Sequence, residues 1–365
     1  MLAPVVELTV EQVRLELLAR FRLLRSAGPA PALRSLRTEL NVARTRRERR
    51  IEAARRIWTQ AAAEVRAEIE PLGHDAFEIR RGEKWTRVIR ERVMLNDAVS
   101  IEIAETKPLA RRLLAAAQLP VPDSCEFHAS QGESALHFLA AHKAPFVVKP
   151  AASSGGRGIT TNIHSPSELR DAVALAARFG APLVIERQAV GDVYRVLVLD
   201  GQVIDVVHRL APCLAGDGSS TVAELIAAEN NRRLAEASPP VSLPIDFDCL
   251  FTLKAQGLSL KSVPAHGVTF RPRTVTNFNA AAENETVEGP FADALRNEAE
   301  RAAQRLGLRL AALDIVTPDI GRGLVECGGV LLEVNPVPGL LHHYRVADPT
   351  KASNVAAEIL QRLLE

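Results

Sequence analysis

The sequence is poor in aromatic residues and has almost no net charge. Aromatic side chains make up 4% of the 365 residues, so the stacking surfaces with which proteins bind single-stranded nucleic acid are not expected. Basic and acidic residues nearly balance, at 45 and 44, and a net charge of +1 gives no overall attraction to nucleic acid or to an anionic membrane. We therefore expect neither nucleic acid nor a membrane among the partners.

Cysteine is also scarce, and the spacing of the four cysteines argues against two common uses of the residue. Cys125, Cys213, Cys249 and Cys327 lie far apart without a C-x-x-C pair, so neither a structural zinc site nor a disulfide framework is expected. Reduced thiols are typical of the cytosol. No apolar run reaches transmembrane length, and the first ten residues lack the pattern of a signal peptide. The cytoplasm is therefore the expected compartment.

The N-terminal part of the sequence is helical in pattern and unusually basic. Apolar spacing from Thr9 to about Leu72 predicts two helices broken near Pro29 and Pro31, the second of which runs to about Ile69. A solvated helix face is one interpretation of the basic residues; a dock for an anionic substrate or partner and a dimerisation arm are the others. The arginines concerned are Arg44, Arg46, Arg47, Arg49, Arg50, Arg55 and Arg56.

Two apolar strands near the C-terminus carry side chains with oxygen ligands. Glu333 and Asn335 are two residues apart, so they point to the same face of a strand. Asp314 lies in the middle of the preceding apolar run, where a charge is costly unless it is paired or binds a metal. Turn residues over 317–323 predict a hairpin that brings the three side chains together. The pattern predicts a hard-cation site, or alternatively a turn capped by Glu333 and Asn335.

A buried strand with a lysine near its end leads into a loop rich in glycine and serine. Lys149 closes the apolar run, and the loop over 151–160 leaves backbone N–H groups free to bind phosphate. The loop is not a Walker A motif, because no G-K-[ST] follows the glycines. Further on, Asp200 and Gly201 predict a hairpin turn. Arg195 and Arg209 on its strands suit phosphate or an oxyanion, or else form salt bridges.

Taken in order, these motifs resemble those of the ATP-grasp ligases, and the closest likeness is to the ATP-grasp part of the cyanophycin synthetases. The D-alanine–D-alanine ligases and the glutathione synthetases are similar more distantly. The likeness covers the sequence from roughly Arg87 to the end. It rests on residues 106–120, 147–150 with 156–160, 194–198, 216–225, 312–319 and 332–339.

The resemblance implies an α+β protein with the ATP-grasp fold, in which two α/β lobes grip ATP between antiparallel sheets. A mainly helical N-terminal domain precedes them. The implied divisions are a basic helical region over 1–95, a small lobe with the phosphate loop over 96–182, and a large lobe with the magnesium site and a substrate insertion over 183–365. A homodimer is left open.

Carried over by position, the resemblance also implies roles for individual residues. Those implied to bind ATP are Lys107 and Lys149 at the phosphates, Ser153, Ser154, Gly155, Gly156 and Gly158 in the phosphate loop, Glu186 at the adenine amino group, Ala189 at the hinge and Asp192 at the ribose. Those implied to hold two Mg²⁺ ions, with Mn²⁺ as an alternative, are Asp314, Glu333 and Asn335. Those implied to face the γ-phosphate and the reacting carboxyl group are Arg195, Arg209 and Asn277.

The activity implied is an ATP-dependent carboxylate–amine ligase that forms an amide or peptide bond through an acyl phosphate. Small-molecule carboxylate and amine substrates are expected, amino acids or small peptides among them. Alternatives are a ligase that modifies a peptide or protein tail, a phosphoryl-transfer enzyme of the same fold, and a non-catalytic nucleotide-binding module. The loop after Asn277 departs from its relatives, with Ala280, Ala281 and Ala282 where they carry paired glycines. His342 and His343 are expected in a solvent-exposed turn, with a place in the lining of the substrate pocket as the alternative.

Overall fold

The structure is a computed structural model that describes residues 21–152, 156–235, 242–276, 284–289 and 291–365; over 32–47 it describes the backbone alone. Four predicted site residues lie outside the described ranges. The part of the predicted N-terminal helix before residue 21 and the alanine loop after Asn277 also lie outside them. The four are Ser153, Ser154, Gly155 and Asn277. Among the described helices, none is both long and apolar enough to cross a membrane.

The N-terminal region consists of a long helix followed by a small antiparallel sheet. Helix α1 (Pro29–Glu64) starts after Gly28, whose φ of 83° ends the helical segment over 21–27. The predicted helix is therefore confirmed but ends before Ile69, where Arg66 takes a left-handed φ of 55°. The chain after this residue forms a four-stranded sheet over 68–93. Its strands, in order, are β1 (Glu68–Gly73), β2 (Ala76–Arg81), β3 (Lys84–Ile89) and β4 (Arg92–Val93).

Two short helices follow the N-terminal sheet. Helix α2 (Ala98–Glu105) is capped by Asp97, whose side chain accepts hydrogen bonds from two backbone N–H groups. Helix α3 (Lys107–Ala116) follows after a single intervening residue. Pro108 lies in the first turn of α3, where its missing N–H costs nothing. Both helices contribute to the core of the larger sheet, although the sequence predicted them in the small lobe. Lys107 is thereby fixed at a helix start.

The smaller lobe is a four-stranded antiparallel sheet with two helices. Ser165 begins the second helix by accepting a hydrogen bond from the Glu168 N–H. The strand that starts at Leu183 pairs within this sheet, so the predicted boundary at 182 cuts a lobe that continues to Arg187. The elements are β5 (Ser124–Phe127), α4 (Gly132–Ala141), β6 (Phe146–Pro150), β7 (Thr160–Ile163), α5 (Pro166–Ala176) and β8 (Leu183–Arg187), with strand order β5-β8-β6-β7.

A hairpin opens the larger lobe and an insertion follows it. Strands β9 (Asp192–Leu199) and β10 (Gln202–Arg209) pair across the predicted turn, where Asp200 and Gly201 both have positive φ. The insertion contains one helix that reaches back to the small lobe, because Phe247 and Phe251 pack in that lobe's core. Its described elements are β11 (Leu214–Ala215), α6 (Val222–Ala235), α7 (Phe247–Ala255) and β12 (Thr269–Phe270).

The remaining elements complete a five-stranded antiparallel sheet of order β13-β10-β9-β14-β15. Every residue of its β14 strand is buried. The predicted turn between the last two strands also holds a short helix. The elements are β13 (Asn284–Thr286), α8 (Asp293–Arg305), β14 (Leu310–Thr317), α9 (Leu324–Cys327), β15 (Val330–Asn335), α10 (Leu341–Tyr344) and α11 (Val355–Leu363).

The two faces of this large sheet are buried by different parts of the chain. Val196 and Val198 face a core built with α2, α3 and α8. Leu197 and Leu199 alternate with them and face a second core, built with α1, the N-terminal sheet and α11. Arg195 is two residues from Leu197 and therefore shares its face. The N-terminal region thus covers the sheet face that carries the candidate site.

Candidate active site

A cavity lies between the smaller and larger sheets, with about 860 Å³ of empty space including its open mouth. Apolar side chains from both lobes form part of its wall, and charged side chains project into it from each side. Such a mainly pre-formed cleft with a few convergent charged groups is the usual form of a ligand site. The charged residues that line it are Lys107, Lys149, Glu186, Arg209, Asp314 and Glu333.

On the small-lobe side, two buried cations share one buried carboxylate. Lys149 Nζ donates to Glu186 Oε1 at 2.7 Å, and the Arg111 guanidinium pairs with the other oxygen. Burial lowers the pKa of Lys149 to about 8, against the opposing charge of Glu186. Burial alone would raise the pKa of Glu186, but Lys149 and Arg111 outweigh it and lower that pKa. Lys149 and Glu186 are therefore both charged at pH 7.

Arg111 was missed by the sequence reasoning. It lies four residues after Lys107, so the two side chains share a face of α3, and this spacing was the available signal. The Arg111 side chain is buried, and its Nε and Nη1 have no hydrogen-bond partner among the described residues. Glu186 was predicted at the adenine amino group; here it is 3% exposed and both of its oxygens contact cations.

On the large-lobe side, two arginines surround Asp314. Arg195 lies directly opposite Asp314 in the sheet, and its Nε and Nη2 donate to the two carboxylate oxygens at 2.8 Å each. Arg209 Nη1 is 3.4 Å from both oxygens. Burial would raise the pKa of Asp314, but the two arginines outweigh it and lower the pKa to about 2. Burial and the charge of Arg195 lower the pKa of Arg209 to about 10, so it remains charged at neutral pH.

The predicted metal ligands lie on paired strands. Asp314 is opposite Glu333 in the register, and Ala312 is opposite Asn335, so the side chains of Asp314, Glu333 and Asn335 share one face of the sheet. Glu333 Oε1 is 3.4 Å from Lys107 Nζ, and Asn335 Nδ2 donates to the Ala312 carbonyl at 3.4 Å. No group of three or more His, Cys, Asp or Glu side chains within the described ranges could hold a metal.

The donor chemistry at these strands fits a hard cation. Two carboxylates and an amide oxygen are the ligands that Mg²⁺ prefers, and this ion commonly completes its shell with water and substrate phosphates. The two carboxylates differ in availability. Both oxygens of Asp314 accept from Arg195, whereas the Glu333 side chain is 26% exposed and has one cation at a distance of 3.4 Å. Glu333 is therefore the more accessible ligand.

Of the remaining predicted residues, some line the cavity and others do not. Ala189 lines it. At the start of β9 the lining residue is Val193, and the side chain of the neighbouring Asp192 is 57% exposed. Gly156 and Gly158 have φ values of 74° and 72°. A side chain on Gly158 would begin 2.7 Å from the Phe179 ring, so both backbone conformation and space require glycine there.

Cavity residues that the sequence did not reveal come from the insertion and from β7. Thr161 lines the cavity, and its N–H and hydroxyl donate to Asp248 Oδ1 at 3.1 and 2.6 Å. Asn162 Nδ2 donates to the Thr274 hydroxyl at 3.0 Å. Asp248 is fully buried against Arg273. These contacts attach the insertion to the strand that follows the phosphate loop, so the insertion forms one wall of the cavity.

The expectation of two solvent-exposed histidines after β15 was wrong. His343 is fully buried beneath β10, and its Nδ1 lies 2.5 Å from Asp205 Oδ2. Ser353 donates to the other oxygen of Asp205 at 2.7 Å. His342 is half-buried; this burial and the charges of Arg195 and Arg209 hold its pKa well below the ordinary value. The short helix α10 therefore packs under the sheet instead of forming an open turn.

Comparisons with known proteins agree with this geometry. Residues 106–190 match the family described as carbamoyl-phosphate synthase L chain, ATP binding domain. The chain is 34% identical over 275 residues to the cyanophycin synthetase of a Nostoc species, a match over 73% of this chain and 30% of that protein. It is 28% identical to the glutathione biosynthesis bifunctional protein of Mannheimia succiniciproducens, over 66% of this chain and 33% of that protein.

The fold is also similar to a solved structure. The bifunctional glutathione synthetase from Pasteurella multocida superposes with a TM-score of 0.53 and 21% identity, over 83% of this chain and 44% of that one. These comparisons and the two-sheet architecture show the ATP-grasp fold. The chain spans about a third of the length of the curated relatives it matches.

Proposed function

We propose that this chain, an ATP-grasp protein, is an ATP-dependent ligase that joins a carboxylate to an amine and releases ADP and phosphate. One observation carries the proposal. Two buried lysines, Lys149 of the small sheet and Lys107 of helix α3, face the same cavity as the carboxylate–arginine cluster of the large sheet. The similarity of the chain to a protein named as a cyanophycin synthetase and to one named as a glutathione biosynthesis bifunctional protein supports this reaction class. Amino acids or small peptides are the substrates we propose.

Binding of ATP is assigned to the small sheet and to the start of helix α3. Lys149 and Lys107 would contact the phosphates, since each carries a buried positive charge at the cavity wall. Glu186 would act mainly by holding Lys149 and Arg111 in place. The remaining assignments are Ser153, Ser154, Gly155, Gly156 and Gly158 in the phosphate loop, Ala189 at the hinge and Asp192 at the ribose.

Two Mg²⁺ ions are proposed for the large-lobe side, held by Asp314, Glu333 and Asn335 together with the phosphates. When bound, such ions neutralise the triphosphate and the charge that develops during phosphoryl transfer. Arg195 would keep the Asp314 carboxylate ionised and oriented, because its fork binds both oxygens. Glu333 would provide the more accessible carboxylate.

The proposed reaction has two steps. An oxygen of the substrate carboxylate attacks the γ-phosphorus, and the bond to the β-phosphate oxygen breaks, giving an acyl phosphate and ADP. The amine nitrogen then attacks the acyl carbon, loses a proton, and phosphate leaves with the former carboxylate oxygen. Arg195, Arg209 and Asn277 are proposed to face the transferring phosphate and the oxyanion. One well-placed donor to an oxyanion contributes on the order of 3 kcal/mol to such a step.

The test is phosphate release from Mg-ATP in the presence of pooled amino acids, other carboxylic acids and amines, followed by mass spectrometry of the active pools. The proposal predicts a product whose mass is that of the acid plus the amine less one water, formed in equal amount with ADP. ADP without a new amide would indicate phosphoryl transfer instead. No ADP in any pool, with ATP still bound, would indicate a nucleotide-binding module.

A further inference from the structure

The part of the cavity wall that comes from the insertion contacts an arginine of the large sheet. This wall segment consists of residues 274–276, all of which line the cavity. The Thr276 carbonyl accepts a hydrogen bond from Arg209 Nη2 at 3.2 Å. Arg209 Nη1 lies 3.4 Å from each oxygen of Asp314, whereas Arg195 donates to the same oxygens at 2.8 Å. The orientation of Arg209 therefore depends more on the wall segment than that of Arg195 does.

A buried carboxylate of the insertion joins the wall segment to the small sheet. Asp248 belongs to the first turn of α7 and is fully buried, so it lies behind the lining of the cavity. Its Oδ1 accepts from the N–H and the hydroxyl of Thr161 at 3.1 and 2.6 Å. Its Oδ2 is 3.3 Å from Nη2 of Arg273, the residue that precedes the wall segment. One carboxylate thus contacts both the strand after the phosphate loop and the start of the wall segment.

The guanidinium of Arg273 is held on its other side as well. Arg273 is fully buried, and its Nη1 donates to Asp246 Oδ1 at 2.6 Å and to the Pro244 carbonyl at 3.1 Å. A buried charge is costly unless it is paired and hydrogen-bonded, so these partners fix where the guanidinium lies. Asp246 and Asp248 therefore attach the beginning of the wall segment to the start of α7.

A second connection between the wall segment and the small sheet involves an unusual backbone conformation. Asn162 of β7 has a φ of 55°, in the left-handed region that residues other than glycine seldom occupy. Its N–H donates to the Gln188 side chain at 2.8 Å, and its Nδ2 donates to the Thr252 and Thr274 hydroxyls at 3.1 and 3.0 Å. Such a conformation persists where the surrounding contacts determine it. Two successive residues of β7, Thr161 and Asn162, thus connect the small sheet with the wall segment.

We propose that Asp248 is a positioning residue that orients Arg209 for the ligase reaction. It acts by holding Thr161 and Arg273 together, which fixes the wall segment and with it the Thr276 carbonyl. The inference rests on the proposed function, in which Arg209 faces the transferring phosphate. Asp248 touches neither nucleotide nor substrate, because it lies behind the lining. An arginine of the large sheet is therefore oriented from the small-sheet side of the cavity, through the insertion.

This role predicts a loss of turnover without a loss of nucleotide binding. Lys149 is held by Glu186, and Lys107 is fixed at the start of α3, so a looser wall segment leaves both lysines in place. Asp248→Asn keeps the shape of the side chain and an acceptor for the Thr161 hydroxyl, but it loses the charge that faces Arg273. Because a displacement of about 1 Å can cost on the order of 10²-fold in rate, we expect kcat to fall by about ten- to hundredfold. The KM for ATP should change by less than about twofold.

A double-mutant cycle between Asp248→Asn and Arg209→Lys tests whether the first residue acts through the second. Lysine keeps the positive charge but lacks the fork that reaches both Asp314 and the Thr276 carbonyl. ADP and hydroxamate are measured with Mg-ATP, hydroxylamine as the amine, and pooled amino acids and other carboxylic acids as carboxyl donors. If Asp248 acts through Arg209, adding Asp248→Asn to Arg209→Lys should lower kcat by less than about a further twofold, because the orientation is already lost.

Stability is separated from positioning by calorimetry and by a matched control. Titration with Mg·AMP-PNP gives the fraction of each preparation that binds nucleotide, so kcat is expressed per folded molecule. Glu168→Gln alters another mostly buried carboxylate between the small lobe and α7, whose partners are Lys254 Nζ and the His164 N–H, both outside the wall segment. It should keep the wild-type kcat. If Asp248→Asn does not fold, Arg273→Lys takes its place in the cycle with the same expectation.

Three results would overturn the inference. Losses of kcat that multiply in the double variant, expressed per folded molecule, would show that Asp248 does not act through Arg209. A rise of about tenfold or more in the KM for ATP, with kcat unchanged, would place the role of Asp248 in nucleotide binding. If the wild-type protein binds Mg·AMP-PNP but forms no ADP with any pool, the ligase proposal fails, and this inference fails with it.

Discussion

The two walls of the cavity carry buried clusters of the same charge but of different chemistry. At the small sheet, Lys149 of β6 and Arg111 of helix α3 surround Glu186; on the large sheet, Arg195 and Arg209 surround Asp314. Each cluster buries two cations around one carboxylate, which leaves one net positive charge at the cavity wall. Lysine loses its proton readily when it is buried, whereas arginine does not. Only the small-lobe cluster can therefore change its charge near physiological pH.

The comparison shows how a protein keeps positive charge in a dry site. An isolated buried cation is costly, and one carboxylate shared between two cations offsets much of that cost. The large-lobe arginines bind with a fixed fork, which suits the orientation of a carboxylate. The lysine is a point charge, which suits a phosphate that moves during transfer.

The largest effect is expected from the carboxylate that belongs to neither buried cluster. In Glu333→Gln, loss of a proposed metal ligand should remove several kcal/mol of transition-state stabilisation, so ADP formation falls on the order of 10³-fold or more. The free energy of unfolding should change by less than about 1 kcal/mol, because the side chain is partly exposed. Steady-state ADP assays and denaturant unfolding measure both. Near-normal turnover in this variant would remove Glu333 from the metal site.

Neutralising the central carboxylate of each cluster compares the two directly. Asp314→Asn leaves two arginines buried without their counter-charge and should lower the free energy of unfolding by about 3–5 kcal/mol. Glu186→Gln should cost less, because Lys149 can release its proton. Urea unfolding at pH 7 and pH 9 distinguishes the two variants. The loss in free energy of unfolding, relative to the wild-type protein, should be smaller at pH 9 for Glu186→Gln and unchanged for Asp314→Asn. If the loss in free energy of unfolding caused by Glu186→Gln is the same at pH 7 and pH 9, the proposed difference between the clusters is wrong.

Above about pH 8, the stability and the activity of the wild-type protein should both respond to the titration of Lys149. The folded pKa of Lys149, about 8, lies below its unfolded value of about 10.4. The unfolded chain therefore binds more protons between these values, and the contribution of this group to stability rises with pH across that window. Activity should move the other way. We expect kcat/KM for ATP to fall above about pH 8, because neutral Lys149 no longer attracts phosphate.

The control for that profile is Lys149→Arg, which keeps the charge at all accessible pH values. Its kcat/KM can be lower throughout, but the decline above about pH 8 should disappear. A decline of the same shape in this variant would assign the titration to another group.

The smallest effect is expected at an exposed carboxylate beside the cavity. Asp192→Asn should raise the KM for ATP by roughly two- to fivefold, since solvent weakens a contact made by a side chain that is 57% exposed. Glu285→Gln, which alters a similarly exposed carboxylate near His208, is the matched control and should leave that KM unchanged. A tenfold or larger rise for Asp192→Asn would mean that the side chain is buried when ATP binds.

Local patterns were sufficient to predict the strands that carry the site. The two-residue period placed Glu333 and Asn335 on one face, and turn residues predicted the pairing of Asp314 with Glu333, which the register bears out. The strand ending in Lys149 and the hairpin at Gly201 were predicted for the same reason. Each of these features depends on residues close in sequence, so the sequence contains what is needed.

Features that depend on distant residues were not predicted. Arg111 and Glu186 are 75 residues apart and meet only because α3 packs against the large lobe while β8 belongs to the small one. The burial of His343 depends on Asp205, 138 residues away. Long-range packing decides both. The helical pattern also extended to about Leu72, whereas the chain forms strand β1 over Glu68–Gly73 and pairs it with β2.

Activation of a carboxyl group by ATP is the central claim, and transfer of an oxygen isotope tests it most directly. The carboxyl oxygens of the substrate are labelled with ¹⁸O and the released phosphate is analysed by mass spectrometry. A route through an acyl phosphate predicts that each phosphate released during amide formation carries one labelled oxygen. Unlabelled phosphate released during amide formation would contradict it, because the labelled oxygen lost from the carboxyl group would then have left in another product.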